Sequence, residues 1–238
     1  MRAIAEPRDG GMSSRSNQIP KAGGRASGAT ELVCVVDDDQ SMRRGLRRLL
    51  KSAGYAAETF SSAEDYLARE IFKGPICLVL DVRMPGLKGP GLQEALEKPG
   101  ACEQIVFLTG HGDVPTATRA MKKGAVDFLT KPFKPGELLK CVERALARSA
   151  EQRRVIAEKD EARHLFDLLT PREFEVMQLV ITGMLNKQIA GELGRAEKTV
   201  KVHRGRVMQK LGITSVAELI KLVQKAGIAS AAIHKTKV

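Results

Sequence analysis

Cys77-Leu78-Val79-Leu80-Asp81-Val82-Arg83-Met84-Pro85-Gly86 is the stretch that decides the fold of this chain. A short apolar run ends on one carboxylate and breaks into a Pro-Gly turn. That pattern suits a strand buried on both faces, whose C-terminal end opens at the mouth of a parallel sheet. Three other runs end in the same way. Val33-Cys34-Val35-Val36 leads into Asp37, Asp38 and Asp39. Ile105 to Leu108 ends at Thr109. Ala125 to Leu129 leads into Thr130-Lys131-Pro132-Phe133. Four strand ends thus deliver an acidic cluster, a lone aspartate, a hydroxyl and a lysine to one edge, and that edge is where open α/β sheets bind ligands.

Between these runs lie amphipathic stretches at helical spacing. Strands are expected at 33–36, 56–59, 77–80, 105–108 and 126–129. Met42, Leu46, Leu49 and Leu50 mark a first helix that Gly54 stops. Further helices are expected over 62–69, 91–97 and 114–123, and a last one opens at Pro135 with Leu138, Leu139, Val142 and Leu146 on one face. Five β-α units make a five-stranded parallel, doubly wound, flavodoxin-like α/β domain over residues 31–148.

Residues 149–166 balance four basic against four acidic side chains and contain neither Gly nor Pro. They read as a helical linker continuing the last helix; the weak stripe Val155, Ile156, Ala162, Leu165 leaves a dimer-forming coiled segment as the alternative. Residues 167–238 read as a small all-α domain of four helices. Thr170-Pro171-Arg172-Glu173 is a helix start with a capping box, and Gly183 ends that helix. Asn186 is expected to cap a short second helix through Leu193, and Gly194 makes the turn. A third helix runs from about Glu197 to Leu211. Ser215 and Glu218 open a fourth that ends near Gly227. A short helix, a Gly-containing turn and a longer basic helix form the helix-turn-helix pattern.

Of the net charge of +11 over 238 residues, residues 167–238 supply +6, from 12 basic and 6 acidic side chains. That excess favours a polyanionic partner, most simply nucleic acid. Cys34, Cys77, Cys102 and Cys141 show no CxxC spacing and read as free, buried thiols of a reducing cytosol. No run approaches the roughly 18 apolar residues of a membrane span. Residues 1–30, rich in Gly, Ser, Ala and Arg and without the apolar core of a signal peptide, read as a disordered tail. A cytoplasmic protein without a membrane partner is expected.

Carboxylates gathered at one edge repel one another, and a hard divalent cation such as Mg²⁺ relieves the repulsion using only one or two of them. A phosphoryl group arriving at Asp81 would find Lys131 and the Thr109 hydroxyl to offset its charge. Asp81, already ionised, could act as nucleophile without a general base.

Val-Val-Asp37-Asp38-Asp39, Leu-Asp81-Val-Arg-Met-Pro, Leu-Thr109-Gly-His-Gly-Asp and Thr-Lys131-Pro-Phe together resemble the receiver domain of two-component response regulators. The resemblance implies that Asp81 accepts phosphate from a sensor histidine kinase. It also implies that Asp38, Asp81 and the backbone carbonyl of Arg83 hold Mg²⁺ with Asp37 assisting through water, and that the Lys131–Pro132 peptide is cis. Phe128 stands where that family places a rotating aromatic. The implied switch draws Thr109 inward and lets Phe128 fill the vacated space, reshaping the face made by the fourth helix, fifth strand and fifth helix. His111 lies near the pocket and reads as an exposed loop residue.

The stretch from Leu169-Thr170-Pro-Arg-Glu173 through Asn186-Lys187-Gln-Ile189-Ala190 to Lys198-Thr199-Val200-Lys201-Val202-His203-Arg204 is similar to LuxR-type helix-turn-helix domains. With the receiver in front, the whole chain resembles response regulators of the FixJ/NarL type. Helical periodicity places Val200, His203, Val207 and Leu211 on an inward face, His203 as a structural residue. Lys198, Lys201, Val202 and Gly205 share an outward face able to meet base edges. Lys187, Thr199, Arg204, Arg206 and Lys210 flank it as phosphate contacts. Two positions depart from the family pattern. Ala196 replaces the usual serine cap, at a cost of about 1 kcal/mol, and Gly205 removes a base-contacting lysine.

These readings lead to a DNA-binding transcriptional regulator activated by phosphorylation, not an enzyme beyond its own phosphoryl chemistry. Its expected partners are a sensor histidine kinase, double-stranded promoter DNA read as two half-sites about one helical turn apart, and a second copy of itself after phosphorylation. RNA polymerase is a further candidate partner. Two rivals stand against it. The first is an enzyme on a flavodoxin-like fold, against which stands Asp37–Asp39 where a Gly-rich phosphate loop would follow the first strand. A pure interaction protein would show no steep salt dependence toward DNA.

Overall fold

The computed structural model describes residues 31–98, 100–110 and 114–228. The first 30 residues and His111 therefore lie outside the described residues, as does the end of the chain beyond 228. Five strands, β1 (Leu32–Val36), β2 (Ala56–Phe60), β3 (Ile76–Asp81), β4 (Gln104–Thr109) and β5 (Asp127–Thr130), pair in parallel in the order β2-β1-β3-β4-β5. The helices between them are α1 (Gln40–Ser52), α2 (Ala63–Leu67), α3 (Gly89–Leu96) and α4 (Val114–Lys122).

Alternation along the strands supplies both faces of the sheet. Val33, Val35, Cys77, Val79, Val106 and Leu108 pack beneath α1 and the first half of the helix that opens at Pro135, through Leu46, Leu50, Leu138, Val142 and Leu146. Cys34, Val36, Leu78, Leu80, Ile105 and Phe107 face the other way, toward Ala63, Tyr66, Leu92 and Ala120. This is why β3 reads as unbroken apolar sequence: all six of its residues are buried. At the edge that matters for function, Gly89 is required by contact. A Cβ there would lie 2.4 Å from the carbonyl oxygen of Asp81, so only glycine lets α3 begin against the end of β3.

Pro135–Phe166 is one helix, α5, 32 residues long. The expected continuation through 149–166 is therefore present, but it is more than a solvated connector. Buried Ser149 bonds the amide of Ile76 and the carbonyl of Cys102, and Arg153 donates to the carbonyls of Phe72 and Lys73. At the other end Ala162 and Phe166 are buried in the C-terminal core. Both ends of the 149–166 stretch are thus engaged, the first by hydrogen bonds to the sheet domain and the second by packing in the C-terminal core.

The C-terminal helices are α6 (Pro171–Val180), α7 (Asn186–Glu192), α8 (Glu197–Lys210) and α9 (Val216–Ala226). Thr170 and Glu173 form the expected capping box, and Ser215 accepts from the amide of Glu218. One cap differs. Asn186 is inside α7, and its side-chain oxygen accepts from Arg204. Leu185 is the cap position, its amide bonded instead by the Gln188 side chain at 2.8 Å. The glutamine satisfies the helix start from within, which releases the asparagine to tie α7 to α8.

Candidate functional site

At the C-terminal edge of the sheet, β1, β3, β4 and β5 bring the expected groups together. Lys131 reaches back across the sheet, its Nζ 2.7 Å from Asp37 Oδ2 and 3.1 Å from Asp81 Oδ1. The Lys131–Pro132 peptide is cis. Asp37 is fully buried, Asp81 is buried, and Asp38 is exposed. One oxygen from each of these three carboxylates lies within 4.8 Å of the others. That is a hard-oxygen set of the kind a divalent cation takes, with an open side toward solvent.

The charges in the pocket are strongly coupled. Burial pushes the Asp81 carboxyl above its ordinary range; the Lys131 hydrogen bond and charge pull it back only in part, and Asp37 and Asp38 push it up further. Burial works against the Lys131 ammonium, but the hydrogen bond and charge of Asp37, then of Asp81, outweigh it and hold this lysine above its usual value. Lys131 is therefore a fixed positive charge at neutral pH, clamped between two carboxylates.

Thr109 is buried at the end of β4, and its hydroxyl donates to the carbonyl of Gly110 at 2.9 Å. Phe128 is half-buried, its ring 6.2 Å from that of Phe107 at an interplanar angle of 39°. Both candidate switch residues thus sit on the strand ends that flank α4. Arg83 lies in the β3–α3 turn with its side chain exposed.

Two roles at this site escape a reading by strand ends. Asp39 caps α1, accepting from the amides of Ser41 and Met42. Arg43, one turn into α1, donates to the carbonyls of Asp37 at 2.6 Å and Asp38 at 2.9 Å. A cation six residues after the first carboxylate of the cluster, on the helix that the cluster opens, is the signal that could have found it. Its guanidinium fixes the backbone that aims Asp37 inward and Asp38 outward.

In the C-terminal region Val200, Val207 and Leu211 are buried and His203 is half-buried, as helical spacing predicts. The Nδ1 of His203 is buried without a partner among the described residues. Lys198, Thr199, Lys201, Val202, Gly205 and Arg206 are exposed along α8, and Lys187 is exposed on α7. Two members of the predicted contact set are used internally. Arg204 is half-buried and donates to Asn186 at 3.1 Å. Lys210 is paired with buried Glu173 at 2.6 Å and bonds the carbonyl of Leu168. Lys210 is therefore held by an internal partner in this structure. It neutralises a carboxylate that the fold buries at the start of α6.

Comparison with known proteins agrees with this layout. Residues 33–143 match the family described as response regulator receiver domain, and residues 167–223 match bacterial regulatory proteins of the luxR family. Nodulation protein W of Bradyrhizobium diazoefficiens is 45% identical over 217 residues, which is 91% of this chain and 96% of that protein. Transcriptional regulatory protein FixJ of Azorhizobium caulinodans is 41% identical over 199 residues, covering 84% of this chain and 94% of its own. Among solved structures, response regulator StyR is similar with a TM-score of 0.70 and 51% identity, covering 83% of this chain and all of that one. Full-length FixJ from B. japonicum is similar with a TM-score of 0.50 and 37% identity, over 85% of this chain and all of that one.

Proposed function

The chain belongs to the two-component response regulators that join a receiver domain to a LuxR-type DNA-binding domain, and on that premise we propose that Asp81 is its phosphoacceptor and that the phosphoryl group governs promoter binding. The observation that carries this reading is the clamp of Lys131 on Asp37 and Asp81. It joins three strand ends at one point, where an incoming phosphoryl group would meet a fixed cation. As a transcription regulator and not an enzyme, the chain has only its own phosphoryl transfer to perform. An Oδ of Asp81 bonds to phosphorus as the P–N bond of a phosphohistidine on a sensor kinase breaks, and the electron pair leaves on the imidazole nitrogen.

Asp38, Asp81 and the Arg83 carbonyl, with Asp37 assisting through water, would hold Mg²⁺, which supplies charge neutralisation to the transferring group. Thr109 and Lys131 bind the arriving oxygens, so the Thr109 hydroxyl leaves its present acceptor on Gly110. Phe128 then turns toward the vacated space, and the α4–β5–α5 face is recast. Dimerisation through that face would bring two copies of α8 to two half-sites, with Lys198, Lys201 and Val202 toward base edges and Lys187, Thr199 and Arg206 toward phosphates. RNA polymerase is a partner to test once a promoter is known. A cytoplasmic location fits this role; no described helix is long and apolar enough to cross a membrane.

The test is intact-protein mass after incubation with Mg²⁺ and a small phosphodonor such as acetyl phosphate. One acid-stable, hydroxylamine-labile phosphoryl adduct is expected, mapping to Asp81 and absent from Asp81→Asn. An adduct that survives the substitution would remove Asp81 from this role.

A further inference from the structure

Next to the acidic pocket, on the far side of the β3–α3 turn, α3 and α4 meet only in part. A groove of about 930 Å³ runs between them, beside the β3–α3 turn. Its floor is apolar, made by Val82, Met84, Pro85 and Ala120. Its rim is basic, made by Arg83, Lys88, Arg119 and Lys123, with Glu94 as the one lining carboxylate, already paired to Lys123. Gln93 lines the same groove and is 4% exposed. Its Nε2 donates to the carbonyls of Ala120 and Lys123, both at 3.2 Å. Those two acceptors fix which end of the amide is nitrogen, and the Oε1 is left buried with no partner among the described residues. A buried acceptor of this kind is ordinarily satisfied.

We propose that this groove is a binding site for a small organic phosphate of nucleotide size. The volume lies within the range of small-molecule sites. The apolar floor suits a planar ring, and the cationic rim suits phosphate oxygens. The acidic pocket at the sheet edge repels such an anion, so the two sites do not compete for it. Among the described side chains of α4, Ala120 alone is buried. The helix is tied to α3 at its C-terminal end by the Gln93 amide, by the Lys123–Glu94 pair and by Ala120 in the core beside Leu92, and a ligand in the groove would bear directly on its position.

Isothermal titration of the full chain in magnesium-free buffer with ATP, pyrophosphate and adenosine as probes tests this. Saturable ATP binding is expected, at least about ten-fold tighter than either fragment and weakened about ten-fold by the pair Lys88→Glu and Arg119→Glu. Asp81→Asn should leave it unchanged, which separates this site from the phosphoacceptor reading. Lys187→Glu with Arg206→Glu should also leave it unchanged, which excludes the basic face of α8. Absence of saturable ATP binding at millimolar concentration would overturn the proposal. Equal affinity for pyrophosphate, or indifference to the Lys88 and Arg119 reversals, would overturn it too.

Discussion

At the scale of single residues, the chain places its charges where partners reach across long stretches of sequence. Lys131 meets Asp37 from 94 positions away, and Lys210 meets Glu173 from 37. The two pairs differ in purpose. The first is open to solvent on one side and shares its lysine between two carboxylates. The second is closed: Glu173 accepts from Lys210, from the Thr170 amide and from no solvent to speak of, and its pKa is lowered to about 2, first by Lys210 and then by the Thr170 backbone. A carboxyl depressed in the folded state stabilises the fold above its unfolded pKa. The contribution drains away as pH falls from about 4.5 toward 2. Lys210→Met should therefore destabilise the C-terminal helices by about 2 kcal/mol, less than a fully buried pair would cost because the lysine is partly exposed. The loss should be smaller at pH 3 than at pH 7. Hydrogen exchange of the α6 and α8 amides in the full chain measures both. Equal destabilisation at the two pH values would show that Lys210 acts through packing alone. The strand-end residues of the acidic pocket were legible in the sequence because each follows an apolar run. Lys210 was not, since periodicity puts it on a helix surface and says nothing of a carboxylate buried 37 positions earlier.

At the scale of elements, the receiver-like half was readable because buried parallel strands leave nearly continuous apolar runs, and α8 was readable from its 3.6-residue period. Helix starts were less secure. Asn186 has the chemistry of a cap, yet Gln188 fulfils that need from inside α7, and a one-residue displacement of the start follows. The same displacement explains Arg204. Once Asn186 lies in the first turn of α7, its oxygen can take the guanidinium that α8 would otherwise hold toward phosphate. The exposed cations then sort into two groups with different signatures. Arg206→Ala should weaken binding to all DNA sequences alike and reduce the slope of log K against log salt by about 1. Lys201→Ala should cost about 1–3 kcal/mol at the cognate site and relax the preference for one base pair. Competition binding on a randomised duplex at two or more salt concentrations separates them. A uniform loss from Lys201→Ala, with sequence preference intact, would place Lys201 on the backbone instead of a base.

At the scale of the whole molecule, α5 is a helix whose continuity the sequence announces and whose two anchorages it does not. Its 32 residues make a rod of roughly 48 Å at 1.5 Å per residue, and each end is built into a different core. Ser149 fastens it to the start of β3 and Arg153 to the loop before β3, while Ala162 and Phe166 belong to the C-terminal core. Arg163 donates to the Ala226 carbonyl at the end of α9, and Lys225 pairs with Glu158. Between these anchorages Arg154 bridges Glu151 and Glu158 along the helix surface. Sequence showed a charged, uninterrupted helix with a weak stripe but could not show which of its residues were buried: of that stripe Ala162 is buried while Val155 and Leu165 are exposed, and Ser149 carries no apolar signal. A rod fixed at both ends transmits rotation as well as displacement, whereas a flexible tether transmits neither. Driving a population from 1:99 to 99:1 takes about 5.5 kcal/mol of differential stabilisation, and a break in the rod would dissipate it. Ala157→Pro interrupts α5 between its anchorages, at a local cost of about 3 kcal/mol. The phosphoryl adduct at Asp81 should form at its normal rate in this variant, and unphosphorylated protein should still bind DNA through α8. The gain in DNA affinity on phosphorylation, read by titrating labelled duplex with and without acetyl phosphate, should fall by at least about ten-fold. A gain that persists at full size would mean the signal passes between copies through the α4–β5–α5 face and owes nothing to the continuity of this helix.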